Sequence, residues 1–112
     1  MDLISSRINE TQVVTVNGSR IDASVAIQFK DRMREITAES DGRIVLDLHK
    51  VAFIDSSGLG AIVAAMKQLS NKQKLDLAGL TPTVDKVFRL TRMDTIFAIH
   101  ADAISATDHR AV

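Results

Sequence analysis

The chain has 112 residues, 46% of them hydrophobic and 25% charged, the make-up of one ordinary globular domain. Fourteen Lys plus Arg balance fourteen Asp plus Glu, which leaves no basic footprint for nucleic acid. With no Cys, the chain holds no disulfide, zinc–thiolate site or cysteine nucleophile.

Four Phe and no Trp or Tyr leave the core to aliphatic side chains and argue against a base-stacking platform. Met1 to Arg7 lacks the apolar stretch of a signal peptide, and no run approaches the ~20 apolar residues of a membrane span. The expectation is a cytoplasmic protein with no membrane contact.

Leu3 to Val16 reads mostly as strand, with β-branched Val13, Val14, Thr15 and Val16. Asn17-Gly18 is a tight-turn dipeptide, and the chain resumes at Ser19 to Asp22, which predicts an opening β-hairpin. Asp22-Ala23-Ser24 can cap a helix to about Ala38, with Val25, Ala26, Phe29, Met33 and Ile36 on its apolar face. Ser40-Asp41-Gly42 ends it. Ile44 to Leu48 reads as a strand buried on both faces.

A second helix runs from the Asp55–Gly60 segment to about Ser70, with Leu59, Ile62, Val63, Met66 and Leu69 at helical spacing. Leu75 to Leu80 is another core strand. Thr81 as cap and Pro82 at the first position start a third helix to Thr91, burying Val84, Val87, Phe88 and Leu90. Ile96 to Ile99 reads as a short last strand, and Ala101 to Ala106 as a weak fourth helix. The predicted fold class is α/β, a single domain over 1–112 with a mixed, mostly parallel β-sheet and about four packed α-helices. Its core spans about residues 3–106, and residues 107–112 form a frayed tail.

Asp55-Ser56-Ser57-Gly58-Leu59-Gly60 lies where a buried strand's extension turns into a helix. Asp55, Ser56 and Ser57 can each cap the free N–H groups of a first helical turn. That helix end tolerates an anion, and Gly58 and Gly60 remove bulk so that backbone or partner can approach. On these residues alone the segment is a cap, a phosphate-accepting serine or a nucleophile. No Gly-x-Ser-x-Gly elbow and no phosphate-binding P-loop occur. His49, His100 and His109 are too scattered to suggest a metal site, and Met33, Met66 and Met93 read as core.

Ile44 to Leu48, Val51, and Phe53 to Gly60 together resemble the signature of the STAS domain. The likeness is to bacterial anti-sigma factor antagonists, also called anti-anti-sigma factors. It extends over roughly Val13 to Ala106, and Gly18 to Ala23 resembles the family's Gly-x-Leu-Asp turn with one extra residue. The resemblance implies a STAS-like fold and no enzymatic activity, catalytic residue, metal or cofactor. It implies phosphorylation at Ser56, with Asp22, Asp55 and Ser57 as neighbours. Asp55, Ser56, Ser57, Gly58, Leu59 and Gly60 would form the partner-binding surface. The partners implied are an anti-sigma factor serine kinase and a phosphoserine phosphatase, met by a monomer. Two rivals stand beside this reading: a STAS component of a transporter or another partner-switching complex, and an enzyme using Ser56 as nucleophile.

Overall fold

Two strands, β1 (Leu3–Ile8) and β2 (Thr11–Val16), form an antiparallel hairpin with Leu3 opposite Val16 and Ile8 opposite Thr11. The computed structural model describes residues 1–40 and 42–108. The hairpin reverses at Asn9 and Glu10, both left-handed at φ 50° and 68°. Two successive positive-φ residues give a reversal whose twist suits paired strands. The predicted turn at Asn17-Gly18 is therefore not the hairpin turn. The register closed at Asn9-Glu10 sets Leu3, Val14 and Val16 on the core face, and the chain after Gly18 pairs elsewhere.

That later segment is β3 (Arg20–Ile21), which pairs in parallel with β5 (Phe53–Ile54) as a separate two-stranded ribbon. The main sheet continues from β2 to β4 (Arg43–Asp47), β6 (Lys74–Ala78) and β7 (Ile99–His100), in the order β1-β2-β4-β6-β7. Every pairing after the hairpin is parallel, as the alternation of strand and helix predicts.

Helices α1 (Ala26–Thr37), α2 (Ser56–Lys67) and α3 (Pro82–Leu90) connect the parallel strands. They share one large core with the inner sheet face: Phe29 and Met33, Ile62, and Val84 and Phe88 meet Val14, Ile44, Leu46 and Leu77. Phe88 and Phe97 meet edge to face at 6.2 Å between centroids. A short α4 (Ala103–Ala106) lies on the other face, where Ala106 joins Val13, Val45 and Ala78. Beside it Asp76 is buried under Arg43, whose Nη2 and Nε donate to Oδ2 at 2.6 and 3.0 Å, with His100 Nε2 3.0 Å away.

Four local expectations change. α1 starts at Ala26, because Asp22-Ala23-Ser24 closes a turn of its own, with Val25 N donating to Asp22 O at 3.1 Å. Leu90 is 74% exposed, since α3 buries Val84 and Phe88 and a residue two beyond Phe88 faces away. The Thr81 hydroxyl donates to Val51 O at 2.7 Å instead of capping α3, although Pro82 does open that helix. A 3₁₀ turn at Met93–Thr95 takes up the chain before β7, so the last strand begins at Ile99 and Phe97 is a core residue outside it.

Thr107 was expected in the frayed tail, yet it is buried and its hydroxyl donates to Ala103 O at 2.9 Å. The rest of the predicted stop at Asp41, and the tail from 109 to 112, lie outside the described residues.

Candidate functional site

Asp55 stands at the junction of β5 and α2 with extended backbone, φ −107° and ψ −175°, the geometry of an N-cap. Its Oδ1 accepts from Gly58 N at 2.9 Å. Its Oδ2 accepts from Ala23 N at 3.2 Å and so ties the Asp22 turn to the start of α2. Of three residues able to cap, Asp55 does so. Ser56 and Ser57 are both exposed, and no described hydrogen bond uses either hydroxyl. The cap requirement is met without them.

The glycines divide the segment. A Cβ on Gly58 would collide with the carbonyl oxygen of Ile21, so only glycine lets α2 lie against β3. Gly60 meets nothing within 4 Å. It is exposed on a shallow groove between α1 and α2, with Ala26, Ile27 and Lys30 on one wall and Ser57 and Ala64 on the other. Ile27 is 72% exposed at its rim. Leu59 is half-buried and packs on the main core. Of the six residues expected to form a partner surface, Ser56, Ser57 and Gly60 are exposed, Asp55 and Leu59 are half-buried, and Gly58 is buried.

Asp22 occupies the next turn. Its Oδ1 accepts from the Ser24 hydroxyl at 2.6 Å and Ser24 N at 3.1 Å, and its Oδ2 from Arg20 Nε at 3.1 Å. The Ser24 hydroxyl first, then Arg20, hold the Asp22 carboxyl below the ordinary aspartate value. Arg20 also lies over the exposed Phe53 ring, 4.4 Å from guanidinium carbon to centroid. Sequence reading missed Arg20 and Phe53. The available signal was alternation: Arg20 and Asp22 flank buried Ile21, as Phe53 and Asp55 flank buried Ile54.

No group of three or more His, Cys, Asp or Glu is placed to hold a metal ion among the described residues. His49 Nδ1 lies 2.9 Å from Asp47 and His100 joins Asp76, while His109 is outside the described residues. No helix is long and apolar enough to cross a membrane among the described residues.

Fold and site together define a small α/β domain that presents a capped helix start and a free serine hydroxyl. The chain belongs to the STAS domain family, whose pattern matches residues 4–107. It is 35% identical over 81 residues to the anti-sigma-B factor antagonist of Listeria monocytogenes, spanning 70% of this chain and 70% of that protein. Its fold superposes on an anti-sigma factor antagonist from Mycobacterium paratuberculosis with TM-score 0.83 and 24% identity, over 94% of this chain and 89% of that one. The phosphorylated form of SpoIIAA, a Bacillus cell fate determinant, aligns with TM-score 0.67 and 22% identity, over 97% of this chain and 99% of that one. These last two likenesses establish the fold alone.

Proposed function

We propose that this chain is an anti-sigma factor antagonist, a non-enzymatic switch in a cytoplasmic partner-switching pathway, with Ser56 as its phosphoacceptor. One observation carries the reading: Asp55 caps α2 and leaves the Ser56 hydroxyl exposed and unengaged. The 35% identity to an anti-sigma-B factor antagonist supports the class, and SpoIIAA, with the same fold, is known in unphosphorylated and phosphorylated forms.

In this reading the unmodified monomer binds an anti-sigma factor serine kinase through Ser56, Ser57, Gly60 and the adjoining face of α2. That binding frees the sigma factor. The kinase then transfers the γ-phosphoryl group of its own ATP to Ser56 Oγ. The hydroxyl proton passes to a base on the kinase, and ADP leaves. A phosphoserine carries about −1.5 to −2 charge near neutral pH. Set beside Asp55 and the Asp22 turn, it brings like charges together at a surface that must shed water to bind. Losing about 2.8 kcal/mol lowers affinity roughly 100-fold. A phosphoserine phosphatase restores the binding form.

Affinity capture with Ser56→Ala and Ser56→Asp as paired baits tests the reading. The expected result is a kinase partner held by Ser56→Ala and lost from Ser56→Asp. A purified partner bound equally by the parent and by Ser56→Glu would refute the charge mechanism.

A further inference from the structure

Arg20 is placed as though a second anion were expected. Its Nε is spent on Asp22 Oδ2 at 3.1 Å, its guanidinium carbon lies over the Phe53 ring at 4.4 Å from the centroid, and no described hydrogen bond uses Nη1 or Nη2. The side chain is 58% exposed. β3 and β5 run parallel, with Arg20 level with Phe53 and Ile21 level with Ile54. One step on, Asp55 N reaches Ile21 O at 3.4 Å, and Ala23 N meets the Asp55 carboxylate. By bonding to Asp22, two residues ahead of itself, Arg20 already extends toward the end of the ribbon where Ser56 begins α2. Arg20 and Asp22 are the residues that flank buried Ile21, and Asp55, which likewise flanks buried Ile54, immediately precedes the exposed Ser56.

We propose that Arg20 is the phosphate clamp of the modified state: its terminal nitrogens take the Ser56 phosphate, and Phe53 holds the guanidinium in place. The inference rests on the reading of Ser56 as phosphoacceptor. A phosphate offers a guanidinium two parallel charge-assisted bonds, whereas Asp22 takes a single Nε contact. The cation–π contact with Phe53 limits how far the guanidinium can wander, which lowers the ordering cost of that grip. Phosphorylation then does two things at once. It adds a dianion, and it makes Asp22 share with a phosphate the cation that it otherwise holds alone in this ribbon. A partner that met a neutral Arg20–Asp22 pair meets instead an occupied Arg20 and a surface of net negative charge.

The test installs phosphoserine at position 56 through a phosphoserine-accepting suppressor tRNA and follows its ³¹P resonance against pH. Arg20→Gln is expected to raise the second phosphate pKa by about half a unit or more, because the cation that favours the dianion is gone. Arg20→Lys keeps the charge without the fork and is expected to fall between the two. A ³¹P titration unchanged by Arg20→Gln, in a variant whose unphosphorylated amide spectrum matches the parent, overturns the clamp. Failure of the Ser56 reading shows elsewhere: the phosphorylated parent would hold the kinase as tightly as the unmodified chain, whatever the phosphorus titration did.

Discussion

Gly58 lies so close under the carbonyl oxygen of Ile21 that a single added methyl group would collide with it. The contact joins α2 to the β3–β5 ribbon through backbone, and backbone cannot swing aside as a side chain can. Gly58→Ala is expected to cost about 1–3 kcal/mol through forced displacement of β3. Gly60→Ala, with nothing within 4 Å, is expected to gain up to about 1 kcal/mol from better helix propensity. Urea unfolding of the two variants should move the midpoints in opposite directions. A shared direction would mean that close approach to Ile21 is not what selects glycine.

Asp55 and Ser56 are neighbours with separable duties. Asp55→Ala removes the cap of α2 and the tie to Ala23, and is expected to cost about 1–2 kcal/mol. Ser56→Glu removes no described bond and adds a negative charge where the helix end favours one. Its stability is expected to stay within about 0.5 kcal/mol of the parent. Thermal or urea denaturation separates the two, and amide exchange at Gly58 and Ala23 should rise only in the Asp55 variant.

On the opposite sheet face, Asp76 is the buried partner of Arg43 and His100. Asp76→Ala strands the Arg43 guanidinium, which keeps about a third of its side-chain exposure and so some hydration. The expected loss is about 2–3 kcal/mol, below that of a fully buried pair. A urea midpoint shift equivalent to less than about 0.5 kcal/mol would show that hydration alone compensates the broken pair.

Acid should release α4 before the rest of the fold. Asp102 forms a capping box in which Ser105 N donates to its carboxylate at 2.7 Å and Asp102 N donates to Ser105 Oγ at 3.3 Å. The Ser105 backbone bond, then the Ser105 hydroxyl, hold the Asp102 carboxyl below its ordinary value. A carboxyl lowered by folding contributes stability that is fully present above its unfolded pKa, about 3.9. That contribution is lost as pH falls through the lower folded value. Amide protection factors at Ala106 and Thr107, corrected for the intrinsic pH dependence of exchange, should therefore fall below about pH 4, and Asp102→Asn should flatten the response.

The layout of the fold was readable because strand and helix segments differ in period. Ile44 to Leu48 and Leu75 to Ala78 announce buried strands, and the apolar spacing after Gly58 announces a helix. The buried stripe of α2 was harder to read. Apolar spacing favours Leu59, Ile62, Val63, Met66 and Leu69; Ile62 is buried as expected, but the other buried positions are Gly58, Ala61 and Ala65. At Gly58 the reason is plain, because α2 approaches the Ile21 carbonyl too closely there for any side chain. The hairpin turn escaped for another reason. Asn17-Gly18 is the better turn by local preference, but the register that buries Val14 and Val16 is satisfied by Asn9-Glu10. At the site, the motif pointed to Ser56 and Asp55. Arg20 and Phe53 stayed hidden because their relation exists only once two short, distant segments pair.

The β3–β5 ribbon assigns alternate residues to different masters. Ile21 and Ile54 look inward and are answerable to the core, while Arg20, Asp22, Phe53 and Asp55 flank them on the outer side. Asp55 and Asp22 also hold the helix cap and the turn, so of the four only Arg20 and Phe53 can change at little cost to folding. A substitution at Arg20 or Phe53 can thus redraw the outer face of the ribbon while the frame beneath it stays as it is.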